Sequence, residues 1–156
     1  MAEAYILDSP NVALTATTAR SVLLGIAGST QPFRVIQFAV SLDATASGTC
    51  KVEFLVGTTS GGTTSTAPNI ARMNGESFNK AAISTASMYS AEPTYTKYSG
   101  NGNIVIKTMM LILPTSPFEI EYPLGREFFC PESNSLAIRL TASVGCNAYT
   151  SLSIEE

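Results

Sequence analysis

The sequence contains no histidine and no tryptophan among its 156 residues. Without histidine, the Ser-His-Asp triad and the Cys-His pair are excluded in their common forms, and so are most zinc and iron sites. A phosphate-binding motif of the form GxxxxGK[ST] is missing too, because the glycine pair at 61–62 is followed by threonines. We therefore predict a non-enzymatic protein that holds no metal and no cofactor.

Charge is also scarce. Charged residues make up 13% of the chain, about half of the roughly 25% that is usual in soluble domains. The net charge is −3, and the nine lysines and arginines are scattered singly between Arg20 and Arg139. Nucleic-acid binding requires clustered basic residues, so we expect no nucleic-acid partner. A partner must instead be recognised by shape and hydrogen bonds.

Long apolar runs are absent, and cysteines are few. No run approaches the ~20 apolar residues of a spanning helix, and the N-terminal MAEAYILDSP lacks the apolar core of a signal peptide. We expect synthesis in a reducing cytoplasm and no association with a membrane. Cys50, Cys130 and Cys146 cannot all pair within one chain, so we expect three reduced thiols, with a single disulfide as the alternative.

The pattern that is present has a period of two, which indicates half-buried antiparallel strands. In 33–42, regular alternation puts Ile36, Phe38 and Val40 on one face, and Phe33 and Val35 on the other. The segments 12–16 and 20–27 could also form a short helix. Strands are predicted over 12–16, 20–27, 33–42, 50–56, 103–113, 118–122, 135–142 and 146–154.

This spacing predicts an all-β fold with about eight to ten strands, an antiparallel β-sandwich that is either a jelly roll, which we prefer, or a simpler sandwich. One domain over 12–156 is expected, preceded by an N-terminal arm over 1–11 that either reaches a neighbouring subunit or frays. The Gly/Ser/Thr-rich segment 57–69 is predicted to be a mobile surface loop, and 70–82 a short helical turn or an edge strand.

Two groups of residues could carry chemistry or binding. Glu119 and Glu121 alternate along one strand and could serve as a pair of carboxylates for glycoside hydrolysis. We prefer to interpret them as the solvent face of a strand whose other face carries Phe118 and Ile120. In 87–103, tyrosines lie among hydroxyls and asparagines, a composition typical of contact loops. They could line a glycan groove, or pack over a sheet edge or against a neighbouring subunit.

The stretch EYPLGREFFCP (121–131) predicts a strand, a turn and a second strand. Gly125 can take the positive φ that a type II turn requires at its third position. Arg126 and Glu127 point to opposite faces of a regular strand, so they do not form a catalytic pair.

The sequence also resembles a known family along most of residues 12 to 156. PLGRE (123–127), Pro131, LAIR (136–139), Thr141 and the final Glu155-Glu156 are similar to the C-terminal half of small tailed-bacteriophage head decoration (cement) proteins. LTATTARSVLLGIAGSTQPFRVIQFAVSLDATAS resembles their N-terminal half, and SAEPT (90–94) lies in the expected middle.

The resemblance implies a viral structural protein with a jelly-roll fold, commonly a homotrimer. Such a subunit binds the major capsid protein on the outside of an icosahedral head and stabilises capsomer junctions. The virion surface is then its location, after synthesis in the host cytoplasm. The alternative is a carbohydrate-binding module or tail-associated adhesin, and weak glycan contacts could accompany either role. The absence of tryptophan counts against that alternative.

Seven residues are candidates for contacts with neighbouring subunits or the capsid. They comprise apolar residues of the N-terminal arm, tyrosines of the 87–103 segment, and one arginine that could clamp a carboxylate or carbonyl: Tyr5, Ile6, Leu7, Tyr89, Tyr95, Tyr98 and Arg126.

Overall fold

The protein is an all-β chain, as predicted. The computed structural model describes residues 4–9, 11–43, 48–64, 69–73, 85–87, 89–96, 105–113 and 115–156. In this part of the chain, no helix is long and apolar enough to cross a membrane. These residues form fifteen strands: β1 (Ala4–Asp8), β2 (Val12–Leu14), β3 (Ala19–Ile26), β4 (Phe33–Leu42), β5 (Cys50–Ser60), β6 (Thr63–Thr64), β7 (Asn69–Arg72), β8 (Thr85–Ser87), β9 (Tyr89–Ala91), β10 (Thr94–Thr96), β11 (Val105–Ile112), β12 (Phe118–Glu121), β13 (Phe128–Cys130), β14 (Ser135–Ala142) and β15 (Cys146–Glu155).

Two antiparallel sheets pack face to face, which confirms the predicted sandwich. Sheet 1 has the order β12-β4-β15-β1-β7, with β13 also paired to β4 and β2 to β15. Sheet 2 has the order β10-β5-β14-β3-β8, with β11 also paired to β5. A small additional ladder joins β6 to β9.

The connections between the sheets follow a jelly-roll topology. Four pairs are nested in sequence: β1 with β15, β3 with β14, β4 with β12, and β5 with β11. The pairs lie alternately in sheet 1 and sheet 2, as if one long hairpin were wound around the core. This double-sheet winding is that of a jelly roll, the preferred of the two sandwich types that the strand pattern leaves open.

The core between the sheets is aromatic at its centre. The rings of Phe38 (β4) and Phe54 (β5) meet edge to face with centroids 4.3 Å apart. Phe118 packs on Phe38 at 5.8 Å, and Phe128 packs on Phe54 at 5.7 Å. Such pairs contribute about 0.5–1.5 kcal/mol beyond their buried area. The three cysteines are free thiols, as expected, two of them buried and Cys146 half-buried.

The faces of β4 differ from the prediction because the strand contains a β-bulge. Phe33 and Val35 are buried together with Phe38 and Val40, although regular alternation places the two pairs on opposite faces. The register against β15 slips at this point, where Ser153 pairs with Gln37 and Ile154 pairs with Val35. The skipped residue is Ile36. Because one extra residue in a strand reverses the side-chain direction, both ends of β4 can face the core.

The predicted loop over 57–69 is partly wrong. β5 continues to Ser60, where it pairs with β10, and Thr63–Thr64 pairs with β9. Backbone hydrogen bonds hold this segment in ladders, although its side chains supply little apolar surface. Asn69–Arg72 forms the edge strand β7 of sheet 1, which confirms the edge-strand alternative for the described residues 70–72.

The predicted N-terminal arm needs the same kind of correction. Ala4–Asp8 is strand β1, which pairs with β15 on one side and β7 on the other within the same chain. Tyr5 and Leu7 point into the core, while Ile6 and Asp8 lie on the outer face of sheet 1. The alternation of buried and exposed positions in AYILD is the signal that identifies this segment as a strand.

Candidate functional site

The structure places the predicted contact residues in separate regions. Tyr5 and Leu7 are core residues with 3% and 1% of their surface exposed, so they cannot line an interface while sheet 1 is intact. Ile6 is half-buried on the outer face of the same sheet, and Arg126 is exposed beyond the end of β12. Tyr98 lies outside the described residues. These candidates therefore do not form one site.

Tyr89 and Tyr95 are buried against the outer face of sheet 2, with 7% and 8% of their surface exposed. They form a second apolar cluster with Leu24, Leu55 and Ala137. The segment 89–96 thus covers the outside of this sheet, which supports packing over the sheet. Neither ring is open to a glycan or to a neighbouring subunit, so the interface role expected of these two tyrosines is wrong.

A charged network lies under this cover and centres on Glu53 of β5. The carboxylate is 2% exposed, and it accepts a hydrogen bond from Arg139 Nε at 2.9 Å. Lys51 Nζ lies 3.1 Å from its other oxygen. Burial raises the pKa of Glu53, but hydrogen bonds and charge interactions with Arg139 and Lys51 outweigh it and lower the pKa overall. Glu53 is therefore an ionised, fully paired side chain.

Glu92 fastens the covering segment to the sheet. Its carboxylate accepts hydrogen bonds from Ser21 N at 2.6 Å and from Ser21 Oγ at 3.0 Å. Arg139 Nη1 lies 3.8 Å from it, and the Tyr95 hydroxyl hydrogen-bonds to Ser21 Oγ. Burial raises the pKa of Tyr95 above its ordinary value. Because both carboxylates are bound by cations or donors, the network is suited to holding the segment in place rather than to acid–base catalysis.

Sequence reasoning did not single out Glu53 or Glu92. Alternation places Glu53 and Arg139 on the outward faces of two adjacent strands, and this signal is present in the sequence. Ser21 faces the same side because the register between β14 and β3 slips there, and alternation does not predict that slip. The composition of 87–103 allows its tyrosines to pack over a sheet, but it does not identify the residues that they meet, because those contacts join positions about seventy residues apart in the chain.

The carboxylates of β12 point to solvent, as predicted. Glu119 and Glu121 are exposed, whereas Phe118 and Ile120 are half-buried and pack on the core. The Gln37 amide donates a hydrogen bond to Glu119 Oε1. Within the described residues, no group of three or more cysteine, aspartate or glutamate side chains is placed to hold a metal ion.

The chain turns between β12 and β13 as the sequence predicts. Arg126 N donates to Pro123 O at 2.9 Å, and Gly125 has φ +82°, which is the geometry of a type II turn. The Glu127 carboxylate accepts hydrogen bonds from Gly125 N at 2.8 and 2.9 Å. These hydrogen bonds fix the backbone of the turn.

This turn and strand present what we call the corner surface: Leu124, Arg126 and Phe129. Leu124 is 94% exposed and Phe129 is 49% exposed. Arg126 is exposed as well, and among the described residues it takes part in no ion pair. Two exposed apolar side chains and an exposed guanidinium within one short stretch of chain are suited to contact with another protein.

A groove of about 340 Å³ opens on the outer face of sheet 1. Ala39 and Ser151 form its floor, and Asp8 and Glu119 stand on either side of it. Tyr149, which is 45% exposed, lies at one end. We call this feature the sheet-1 groove; its remaining lining residues are Ser9, Val40, Ser41, Pro117, Phe118 and Thr150.

Comparisons with known proteins provide no relative for this chain. No family model, no curated protein and no solved structure matches it.

Proposed function

We propose that this chain is a decoration subunit of a tailed-phage head, which binds the outer surface of the shell as a homotrimer and stabilises capsomer junctions. The observation that carries the proposal is the corner surface. The PLGRE motif at 123–127 resembles the decoration family, and the same few residues present exposed Leu124, Arg126 and Phe129.

Burial of its exposed apolar side chains would make binding at the corner surface favourable. Burying a leucine or phenylalanine fully contributes about 1.5–3 kcal/mol relative to leaving it in water. Leu124 and Phe129 therefore offer a few kcal/mol per subunit. Three copies in one trimer multiply that contribution, because binding of the first subunit raises the effective concentration of the others at the shell.

The mechanism of stabilisation is mass action. A ligand that binds the assembled shell and not the separated capsomers shifts the equilibrium toward the shell. The segment 89–96 packs on the outer face of sheet 2 and is fastened there through Glu92, so the exposed side chains proposed for contact lie on the other sheet. No group on the subunit needs to react.

The direct experiment mixes purified protein with undecorated heads and counts bound copies by cryo-EM. We expect density at capsomer junctions, and its absence there refutes the proposal. Light scattering after size exclusion should give about three times the 16.4 kDa chain mass, and a monomer contradicts the homotrimer.

Substitutions at the corner surface make the test specific. Leu124→Ser should weaken head binding roughly 10-fold or more, since it removes about 1.5 kcal/mol or more of apolar burial. Phe129→Ser should weaken it roughly threefold or more, because Phe129 is already half-buried in the free chain. The matched control is Leu111→Ser, because Leu111 is 69% exposed but lies on β11 at the edge of the other sheet. Equal losses from the control and the corner variants would show that general surface apolarity, rather than the corner, drives binding.

A further inference from the structure

We propose that the sheet-1 groove is a receptor for an arginine side chain of a partner protein. The charged residues along its lining are of a single sign. Two of its eleven lining residues are acidic, Asp8 and Glu119, and none is basic.

The register of sheet 1 explains why a depression exists at this place. Glu119 on β12, Ala39 on β4, Ser151 on β15 and Asp8 on β1 form one row across four adjacent strands. Neighbouring strands lie about 4.8 Å apart, so the Cα atoms of the two acidic residues are roughly 14 Å from each other. The small alanine and serine side chains between them leave the floor low.

The two carboxylates of the groove favour a ligand that donates hydrogen bonds. An ionised carboxylate only accepts, and the groove has a carboxylate on each side. A guanidinium offers five N–H donors and no acceptor. The Gln37 amide donates to Glu119 Oε1 and so holds that side chain at its wall. The concave shape concentrates the field of both carboxylates inside the groove.

The aromatic end of the groove favours arginine over lysine. Tyr149 pairs with Ser41 in the row next to Ala39 and Ser151, and nearly half of its surface is open. A planar guanidinium can stack on a tyrosine ring while its edge bonds to a carboxylate. An ammonium group is a point charge and cannot make both contacts with the same geometry.

The source of the arginine follows from the proposed function. If the chain decorates a head, the major capsid protein supplies the side chain, and this assignment rests on that proposal. The preference of the groove for a guanidinium does not rest on it. The two statements can therefore fail separately.

The groove is tested by NMR titration of the full chain with Nα-acetyl-L-arginine N-methylamide. Saturable shifts are expected at the amides of Ser41, Tyr149 and Ser151, with affinity in roughly the millimolar range for a single side chain. The citrulline analogue, which is neutral but nearly isosteric, should bind about 10-fold more weakly or worse, because it loses the charge interaction with both carboxylates. Binding should also weaken as salt is added.

Two variants and one control locate the binding. Asp8→Asn and Glu119→Gln should each weaken the arginine probe about threefold or more. Glu121→Gln should leave it unchanged, because Glu121 is exposed on the same face of β12 but does not line the groove. All three positions are exposed, and a dispersed spectrum will establish that each variant is folded.

Several results overturn the inference. Equal binding of the citrulline analogue would show that charge is not what the groove selects. Binding of methyl α-glucoside without binding of arginine would make the groove a glycan site. An absence of shifts at roughly 50 mM arginine probe would exclude a useful receptor. Undecorated heads separate the two proposals: if wild type binds and an Asp8→Asn, Glu119→Gln double variant binds equally, the capsid is not the source of the arginine.

Discussion

Replacing Leu7 by alanine tests whether the N-terminal segment is part of the fold. Leu7 lies on β1, is 1% exposed, and is paired with Leu152 of β15 and Ile70 of β7. Truncating a buried leucine to alanine costs about 2–5 kcal/mol, the range reflecting how far the cavity collapses. Because a domain is stable by only about 5–15 kcal/mol, the loss is a large fraction of the total.

The expected shift in melting temperature follows from the length of the chain. For a domain of this size, 1 kcal/mol corresponds to roughly 2–4 °C. The variant should therefore melt about 4–20 °C below wild type. Equilibrium unfolding in urea, followed by far-ultraviolet circular dichroism, gives the free energy directly. Both proteins are measured at one chain concentration, because any oligomer makes stability depend on concentration.

Ile6→Ala is the matched control, since Ile6 is the neighbouring residue and is half-buried on the outer face of the sheet. It should lose less than half as much free energy of unfolding as Leu7→Ala. If Leu7→Ala unfolds within about 0.5 kcal/mol of wild type, the range of an ordinary surface substitution, β1 contributes nothing to the core. The segment would then be an arm after all.

Three further predictions concern the charged network, the turn and the thiols. Glu53→Gln should lower the free energy of unfolding by roughly 1.5–3 kcal/mol at neutral pH. Since the folded pKa of Glu53 is lowered from 4.5, this difference between wild type and variant should narrow as the pH falls below about 4. A difference that does not change with pH contradicts the pairing. Gly125→Ala should cost about 1 kcal/mol because φ is +82°, whereas Gly145→Ala, at a glycine without positive φ and with room for a Cβ, should cost little; equal urea midpoints would contradict the turn. Native protein should react with Ellman's reagent first at Cys146, which is half-buried. Burial raises the thiol pKa of Cys50 to about 11 and that of Cys130 to about 12, so these two thiols should react more slowly. Fast reaction of two thiols would contradict this order.

The sequence predicts most of the fold because its strands alternate strongly. Strands β4 and β14 have the bounds that the period-two pattern predicts, and β15 extends one residue further. The period-two pattern does not predict features that depend on which strands pair with each other. β5 continues to Ser60 because β10 provides a ladder there, and the bulge at Ile36 reverses a face that regular alternation cannot reverse.

The candidate sites were harder to predict, because they depend on which strands become neighbours. The turn at Gly125 follows from local residues alone, and it was predicted correctly. The composition around Tyr89 and Tyr95 is typical of contact loops, but composition does not distinguish a ring in solvent from a ring packed on a sheet. The groove joins residues from four strands whose order is set by the jelly-roll winding, and no local pattern contains that order.

The corner surface and the sheet-1 groove belong to the same sheet, and this decides how they should be tested together. A stable interface buries about 800 Å² per partner, roughly a tenth of the 8045 Å² surface of this chain. Three side chains at the corner cannot supply that area, whereas the corner and the face of sheet 1 together can.

Asp8 lies on β1 and Leu124 follows β12, three strands away, so their effects on one shared interface should be independent. The losses of head-binding free energy from Asp8→Asn and Leu124→Ser should then add within about 0.5 kcal/mol in the double variant. If Leu124→Ser weakens head binding and Asp8→Asn does not, the groove faces away from the shell and its arginine comes from another protein.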